Sequence, residues 1–192
     1  MTSGNFYEPE VVLIFGPPAS GKSVLARLIA GRFAKCAHVE VDALRYMVVG
    51  GLVAYSAGIH STEAREEYER QCHLGVENAV RLAHGFASHG FSSVIEGLGD
   101  ECLPGSGWSR QSFPTIRVCN VLVICDLQVL SKRWGQRGWG MEIPKAVRDS
   151  IQRFESARTQ FDCVLDTSSG SPETNAERVW KELRRRAQEG DG

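Results

Sequence analysis

The sequence has no excess of charge of either sign, because 22 lysines and arginines stand against 23 aspartates and glutamates, for a net charge of −1. A balanced charge gives no indication of a nucleic-acid surface or of an anionic membrane surface. The sequence also has no apolar run approaching the about 18 residues of a membrane-spanning helix, and its first residues lack the pattern of a secretory signal. We therefore expect no nucleic-acid partner and no membrane partner.

Paired cysteines are absent as well. The six cysteines include no C-x-x-C pair, which makes zinc and thioredoxin-type sites poor interpretations. Cys119, Cys125 and Cys163 lie in apolar runs and are expected to be buried there as small hydrophobic residues. The simplest expectation is a reducing, cytoplasmic compartment.

What the chain does contain is a regular alternation of two patterns. Its 192 residues fit one domain, 1–192, with no internal repeat. Short apolar runs predict strands at 10–15, 38–41, 92–96, 118–125 and 163–165, and helical periodicity falls at 24–33, from 43, and at 62–88, 127–134, 144–160 and 172–187. This alternation predicts an α/β fold with a parallel sheet and helices on both of its faces.

Glycine and proline indicate where these elements end. Segments 50–60 and 99–114 are rich in turn residues and are predicted to be loops, and loops as long as the second are usually functional or disordered. We also expect the long helix of 62–88 to break near Gly75 or Gly85.

The most specific motif follows the first strand, where Gly16-x-x-x-x-Gly21-Lys22-Ser23 matches the phosphate-binding Walker A pattern completely. Glycines let the backbone turn its N–H groups toward phosphate oxygens, and the following helix adds its positive end. Lys22 supplies a charge for the β- and γ-phosphates, and the Ser23 hydroxyl is a ligand for Mg²⁺. The predicted nucleotide contacts are Gly16, Pro17, Pro18, Ala19, Ser20, Gly21, Lys22, Ser23 and Val24.

Three polar residues follow the second and third strands. Asp42 is placed either to orient the proton of an attacking hydroxyl or to cap the helix beginning at Ala43, and the two roles are compatible. Arg45 could hold an anionic or polar acceptor, or form a surface salt bridge. Glu96 closes the third strand and could hold a Mg²⁺-bound water or the acceptor. Whether Asp42 or Glu96 is the base stays open.

Arginines and glycines share a segment later in the chain. Arg133 and Arg137 are four residues apart on one helical face, flanked by Gly135, Gly138 and Gly140. We expect a lid at about 131–142 that brings at least one guanidinium to the phosphates; the alternative is a solvated helix face. Weaker candidates are Asp100, His60 and the loop 166–170, whereas Trp134 and Trp139 are expected to pack rather than to stack on a base.

Taken together, these motifs resemble those of the small P-loop kinases, a group that includes chloramphenicol phosphotransferase, adenylylsulfate kinase, shikimate and gluconate kinases and the zeta-toxin type kinases. The resemblance rests on the Walker A segment, Val41-Asp42-x-x-Arg45, Val94-Ile95-Glu96-Gly97, Arg133-x-x-x-Arg137 and Asp166-Thr167-Ser168, within a core of 10–187. It implies the P-loop NTPase fold with a five-stranded parallel sheet in the order 2-3-1-4-5. It also implies ATP at the carboxyl ends of the strands and an acceptor beside the second and third strands.

Two functions are compatible with these residues. The first is a phosphotransferase that moves the γ-phosphate of ATP, with Mg²⁺, to a hydroxyl of a small molecule, using Lys22, Asp42, Arg133 and Arg137. The second is a nucleotide-dependent regulatory ATPase or ATP-binding module without an acceptor. An acceptor-side carboxylate together with lid arginines favours the first. The sequence leaves the identity of the acceptor and the choice between ATP and GTP open.

Overall fold

The computed structural model describes residues 8–54, 61–140 and 142–189. In this part of the chain five strands form one sheet, and every pairing in it is parallel. The strands are β1 (Glu10–Phe15), β2 (Cys36–Glu40), β3 (Ser92–Leu98), β4 (Arg117–Ile124) and β5 (Cys163–Asp166). Their order is β2-β3-β1-β4-β5, which confirms the predicted topology.

Helices connect successive strands, and one further helix follows the last strand. They are α1 (Lys22–Ala30), α2 (Val41–Arg45), α3 (Thr62–Ala87), α4 (Trp108–Ser112), α5 (Leu127–Gln136), α6 (Lys145–Ser156) and α7 (Pro172–Glu189). Short 3₁₀ turns occupy Asp100–Cys102, Pro104–Ser106 and Arg158–Gln160. No helix in the described ranges combines the length and apolarity needed to cross a membrane.

The two faces of the sheet are covered by different helices, because side chains along β1 alternate between them. Leu13 and Phe15 pack in a cluster that includes Val76 and Ala79 of α3. Val12 packs on the opposite face, in a cluster with residues of α1 and α7. The site therefore rests on a central strand that is buried along its whole length.

The pairing of β1 with β3 is interrupted by one extra residue. Ile14 pairs with Glu96 and Phe15 with Leu98, so that Gly97 is left out of the register. Gly97 has φ 89°, and a β-carbon there would lie 3.3 Å from Cβ of Val41, which makes glycine necessary at this bulge. The strand thus does not close at Glu96, as the sequence predicted, but continues to Leu98.

Two further predictions about helices are wrong. α3 runs unbroken through both Gly75 and Gly85, because its inner face packs continuously on the sheet and on α2. At Gly75 a β-carbon would lie 3.2 Å from the Val41 side chain, so this glycine permits a close approach of α2 rather than a break. In addition, α2 begins at Val41 and not at Ala43.

The segment 99–114 is more ordered than a simple loop. It contains the first two 3₁₀ turns and α4, and it buries Cys102, Ser109 and Phe113. Packing of these side chains explains why a glycine- and proline-rich stretch acquires regular structure here, which the local composition could not show.

Candidate functional site

Residues 16–23, called the phosphate loop below, connect β1 to α1. The loop turns through left-handed backbone at three positions, with φ 137° at Gly16, 65° at Ala19 and 98° at Gly21. Alanine seldom adopts such a conformation, so the backbone at Ala19 is strained. Strain of this kind is typical of a loop whose shape is fixed by what it binds, and here the loop leads into the N-terminus of α1.

The ammonium group of Lys22 folds back over this loop. Its Nζ donates a 2.8 Å hydrogen bond to the carbonyl oxygen of Pro17. Burial lowers the pKa of Lys22, and the Glu96 and Asp42 carboxylates oppose that shift. The ammonium group of Lys22 thus lies beside the loop and within electrostatic range of two carboxylates. It is placed to neutralise the charge of a bound polyphosphate.

Glu96 lies in β3 beside the start of α1 and is only 3% exposed. Its register partner in β2 is Glu40, so two carboxylates stand side by side on neighbouring strands. Burial raises the pKa of Glu96, the neighbouring Ser23 hydroxyl and Lys22 act in the opposite direction, and Glu40 and Asp42 raise it further. Its Oε1 atom has no hydrogen-bond partner among the described residues.

These donors fit a magnesium ion. Mg²⁺ prefers oxygen ligands and is usually held by one or two carboxylates together with substrate phosphates. Ser23 offers a hydroxyl, and Glu96 offers a buried oxygen that accepts no hydrogen bond within the described chain, with Nε2 of His38 4.0 Å away. The described residues contain no group of three or more His, Cys, Asp or Glu side chains that could hold a metal by themselves. An ion here would therefore depend on the phosphates of the nucleotide.

Asp42 does not have the capping role that its sequence position predicted. α2 starts at Val41, two residues earlier than predicted, its N-cap is Glu40, and no side-chain capping bond is present. Asp42 instead lies in the first turn of α2, with its side chain 60% exposed and Oδ1 3.7 Å from Nε of Arg45. The carboxylate is thus open to a small molecule at the same edge of the sheet as Lys22.

Arg45 is buried, which neither of the two sequence interpretations anticipated, since its side chain is only 3% exposed. Its Nη1 donates to the carbonyl oxygen of Val53, and the guanidinium lies 4.5 Å from the ring centre of Tyr46 and 5.2 Å from that of Tyr68. The salt bridge that the sequence offered as an alternative is present with Asp42, but its guanidinium end is buried and not on the surface. The guanidinium is enclosed next to Asp42 rather than presented to solvent.

Arg133 contacts the phosphate loop from the opposite side. Its Nη1 donates to the Ser20 carbonyl at 3.3 Å and to Thr167 Oγ1 at 3.1 Å, and its Nη2 donates to the Thr167 carbonyl at 2.8 Å. Thr167 Oγ1 itself donates to the Ser20 carbonyl at 2.8 Å. The guanidinium thus joins α5, the phosphate loop and the segment after β5, and a solvated helix face does not describe it.

Arg137 has different surroundings. It is exposed, and its guanidinium lies 4.8 Å from the ring centre of Trp139. Trp134 packs edge-on against Trp139 at 4.8 Å, and its indole Nε1 donates to the Trp139 carbonyl. Both tryptophans therefore pack, as expected from the sequence.

A cavity of about 280 Å³ adjoins the phosphate loop on its α7 side. Its lining comes from the loop and α1, from the end of α5 and from the segment after β5: Ala19, Ser20, Gly21, Val24, Leu25, Arg133, Gln136, Arg137, Thr167, Gly170, Pro172 and Asn175. The predicted loop 166–170 thus contributes two wall residues. A largely apolar cavity next to a phosphate-binding loop is suited to the base of a nucleotide.

Two of the weaker candidates from the sequence are single residues, Asp100 and His60. Asp100 forms an ion pair with Arg153 of α6 and is already engaged. His60 lies outside the described residues. Sequence reasoning missed Glu40, although a polar residue at the end of the second strand was a usable signal for it. It included Thr167 only as part of the loop 166–170, with no role of its own. The interactions of Thr167 depend on residues distant in sequence and left no local signal.

Comparisons with known proteins identify the family and the fold. Residues 9–184 match the model of the family described as chloramphenicol phosphotransferase-like protein. Among solved structures, a gluconokinase from Sinorhizobium meliloti has a TM-score of 0.63 at 17% identity, with 95% of each chain covered. The APS kinase of Mycobacterium tuberculosis in complex with AMPPNP and APS has a TM-score of 0.58 at 18% identity, covering 92% of this chain and 98% of that one. The tunicamycin resistance protein of Deinococcus radiodurans has a TM-score of 0.61 at 13% identity, covering 91% and 95%. Curated proteins give no match.

The family match spans most of the chain, and the chain therefore belongs to the chloramphenicol phosphotransferase-like family. The solved structures, all below 20% identity, show that the fold is shared with P-loop kinases. Fold and family together make this a kinase-type protein with a nucleotide-binding phosphate loop.

Proposed function

We propose that this member of the chloramphenicol phosphotransferase-like family transfers the γ-phosphoryl group of ATP, bound with Mg²⁺, to a hydroxyl group of a small molecule. The observation that carries the proposal is the placement of Asp42. Its carboxylate is 60% exposed and its charge acts on the ammonium of Lys22, so an acceptor carboxylate and a phosphate cation meet at one edge of the sheet. A protein that only binds or hydrolyses nucleotide has no need of that carboxylate.

In this proposal the phosphate loop holds the triphosphate through its backbone N–H groups and Lys22. Ser23 and Glu96 hold the Mg²⁺ ion, which supplies charge neutralisation to the phosphates. The base occupies the cavity beside Thr167 and Gly170, and an arginine of the lid segment 131–142 completes the binding of the phosphates.

Asp42 acts on the acceptor. The acceptor hydroxyl donates a hydrogen bond to the exposed carboxylate, which orients its oxygen toward the γ-phosphorus. A bond forms between that oxygen and phosphorus while the bond from phosphorus to the leaving oxygen of ADP breaks, and the hydroxyl proton passes to Asp42. Arg45 lies next to Asp42 and belongs to this acceptor side of the site.

Acceptor-stimulated turnover of ATP tests the proposal. The purified chain is incubated with MgATP and a panel of hydroxyl compounds, among them sugars, nucleosides, amino alcohols and aromatic alcohols. Release of ADP and addition of one phosphoryl group to the acceptor, seen by mass, are both measured. We expect at least one compound to raise ADP release and to gain a phosphoryl group. Slow ADP release that no compound changes would instead favour the regulatory ATPase.

A variant pair assigns the activity to the phosphate loop. Lys22→Ala should lower turnover about 10²-fold or more, because the counter-charge of the transferred phosphoryl group is lost. Lys132→Ala, which removes an exposed lysine of α5, is the matched control and should keep the activity of the parent. Retention of full activity in a folded Lys22→Ala variant would contradict the nucleotide site proposed here.

A further inference from the structure

Arg133 and Arg137 belong to the same short segment, yet the structure gives them opposite environments. Arg133 makes three hydrogen bonds, all to the phosphate loop or to Thr167. No hydrogen bond or ion pair of the Arg137 side chain is present among the described residues, where its one specific contact is the face of Trp139. From the sequence, the two arginines are equivalent candidates for binding phosphate, whereas in the structure their contacts differ.

We propose that the two arginines have different roles at the nucleotide site. Arg133 is a fixed positioning residue that holds the phosphate loop in place. Arg137 is the cation that leaves Trp139 to bind the nucleotide phosphates. This inference rests on the proposed function, since it assumes that a nucleoside triphosphate occupies the phosphate loop. It assigns one role to each arginine and makes Trp139 the place where Arg137 is held before the nucleotide binds.

The contacts of Arg133 argue against its movement. Two of its bonds end on carbonyl oxygens, of Ser20 and Thr167, and Thr167 is itself buried and bonded to the Ser20 carbonyl. If Arg133 left for a phosphate, these carbonyls would each lose a charge-assisted partner, which is costly where solvent cannot replace it.

The contacts of Arg137 argue for its movement. An exposed cation over an aromatic ring is held more weakly than a guanidinium paired with phosphate oxygens, so a bound triphosphate competes well for it. Arg137 already lines the cavity beside the phosphate loop. Its charge also contributes to lowering the pKa of Lys22, mainly an effect of burial, so the two cations are within electrostatic reach.

Trp139 is suited to hold Arg137 in the absence of nucleotide and to stay in place when Arg137 moves. Its carbonyl accepts the Trp134 indole N–H, and its ring packs edge-on against that of Trp134, which is buried. Trp139 is nevertheless 48% exposed. When Arg137 leaves, Trp139 stays behind and loses a positive charge from its ring face, and the fluorescence of an indole responds to such a change.

Nucleotide binding alone tests the division of roles, with no acceptor needed. Affinities for AMPPNP with Mg²⁺, ADP, AMP and adenosine are measured by calorimetry for the parent and for Arg137→Gln, Arg133→Gln and Lys132→Gln. We expect Arg137→Gln to weaken AMPPNP binding about 10-fold or more while adenosine and AMP change less than about 3-fold. Arg133→Gln should weaken all four ligands and lower the midpoint of thermal unfolding, and Lys132→Gln should change neither.

Fluorescence supplies the second readout. AMPPNP should change the tryptophan emission of the parent, and the change should disappear in Arg137→Gln and in Trp139→Leu. Trp139→Leu should bind AMPPNP as tightly as the parent or somewhat more tightly, because no contact with the ring has to be broken first. Weaker binding by Trp139→Leu would mean that Trp139 contacts the nucleotide itself and would overturn the holding role.

The remaining outcomes are also decisive. If Arg133→Gln loses only triphosphate affinity, or if both arginine variants lose all ligands equally, the division of roles is wrong. Should Arg133→Gln fail to fold, Thr167→Val removes the shared hydroxyl and should weaken adenosine and AMPPNP to a similar extent. If the folded parent binds no AMPPNP, the proposed function itself fails, whereas AMPPNP binding that does not depend on Arg137 overturns this inference alone.

Discussion

The α-carbon of Gly16 faces the backbone of β4 so closely that a β-carbon on it would lie 2.1 Å from the carbonyl oxygen of Val123. Gly16 also has φ 137°, which other residues rarely adopt. Glycine is therefore required at position 16 for two reasons: the backbone conformation of the loop, and the close contact with the neighbouring strand.

Gly16→Ala should destabilise the chain by about 1–3 kcal/mol, since both the backbone and the contact with Val123 must shift. It should also abolish detectable binding of MgATP, because the shifted loop no longer points its N–H groups at one place. Urea unfolding and calorimetry measure the two effects. Gly85→Ala is the control: Gly85 has open space around it inside α3, and the substitution should stabilise by about 0.5–1 kcal/mol. Parent-like unfolding and binding by Gly16→Ala would contradict the packing described.

The place of this loop between a strand and a helix was predicted from the sequence because the information for it is local. A buried strand, two glycines at fixed spacing and the start of α1 all lie within residues 10–30. The sheet order followed from the resemblance, which the structure confirms. Glu40 was missed for the opposite reason: its importance comes from its register with Glu96, which is set by the pairing of two strands far apart in sequence.

Glu96→Gln should stabilise the chain at neutral pH. Burial raises the pKa of Glu96 in the folded state, so the folded chain holds this proton more tightly than the unfolded chain does. Below the ordinary carboxyl pKa the residue is protonated in both states and carries no penalty. As the pH rises toward 7 the folded state must bear a buried negative charge, and stability falls.

Glutamine resembles the protonated acid, so the unfolding midpoint of Glu96→Gln should exceed that of the parent at pH 7, and the difference should shrink toward about pH 4. Thermal unfolding over this pH range is the measurement. Glu66→Gln, on an exposed position of α3, controls for the loss of one negative charge. A difference that is constant or grows at low pH would contradict the burial argument. The variant should at the same time lose Mg²⁺-dependent activity, since a functional site often retains a destabilising group.

Arg45→Met should destabilise the chain by about 1–3 kcal/mol, because the Val53 carbonyl loses its donor and Tyr46 and Tyr68 lose the guanidinium that lies against both rings. Urea unfolding measures the loss, and Arg65→Met, an exposed arginine of α3, is the matched control. If Arg45→Met instead unfolds like the parent and only raises the KM of the acceptor, Arg45 binds the acceptor directly, which is one of the two roles that its sequence position allowed.

The burial of Arg45 shows where local patterns stop being informative. An arginine three residues after an aspartate on a short helix is typical of an exposed pair. Here α3 covers it, because Gly75 lets α2 approach and Tyr68 then closes over the guanidinium. Contacts of this kind depend on how two helices pack and cannot be derived from either helix alone.

Asp42→Asn separates the acceptor role of Asp42 from any structural one. Because Asp42 makes no capping bond and is 60% exposed, the variant should unfold within about 0.5 kcal/mol of the parent. Binding of MgATP should change no more than a few-fold, since the phosphate loop is untouched. Phosphorylation of the acceptor found by the screen should fall by about 10²-fold or more, the usual scale for a positioned general base.

The comparison with Glu96→Gln then decides which carboxylate acts on the acceptor. Loss of phosphorylation in Asp42→Asn with MgATP binding intact identifies Asp42, because a Mg²⁺ ligand would lower nucleotide affinity as well. The exposed carboxylate is better placed for this chemistry than the buried one, since an incoming hydroxyl can reach Asp42 without displacing protein atoms. Full activity in a stable Asp42→Asn variant would assign the base to Glu96 and remove the observation on which the proposed function depends.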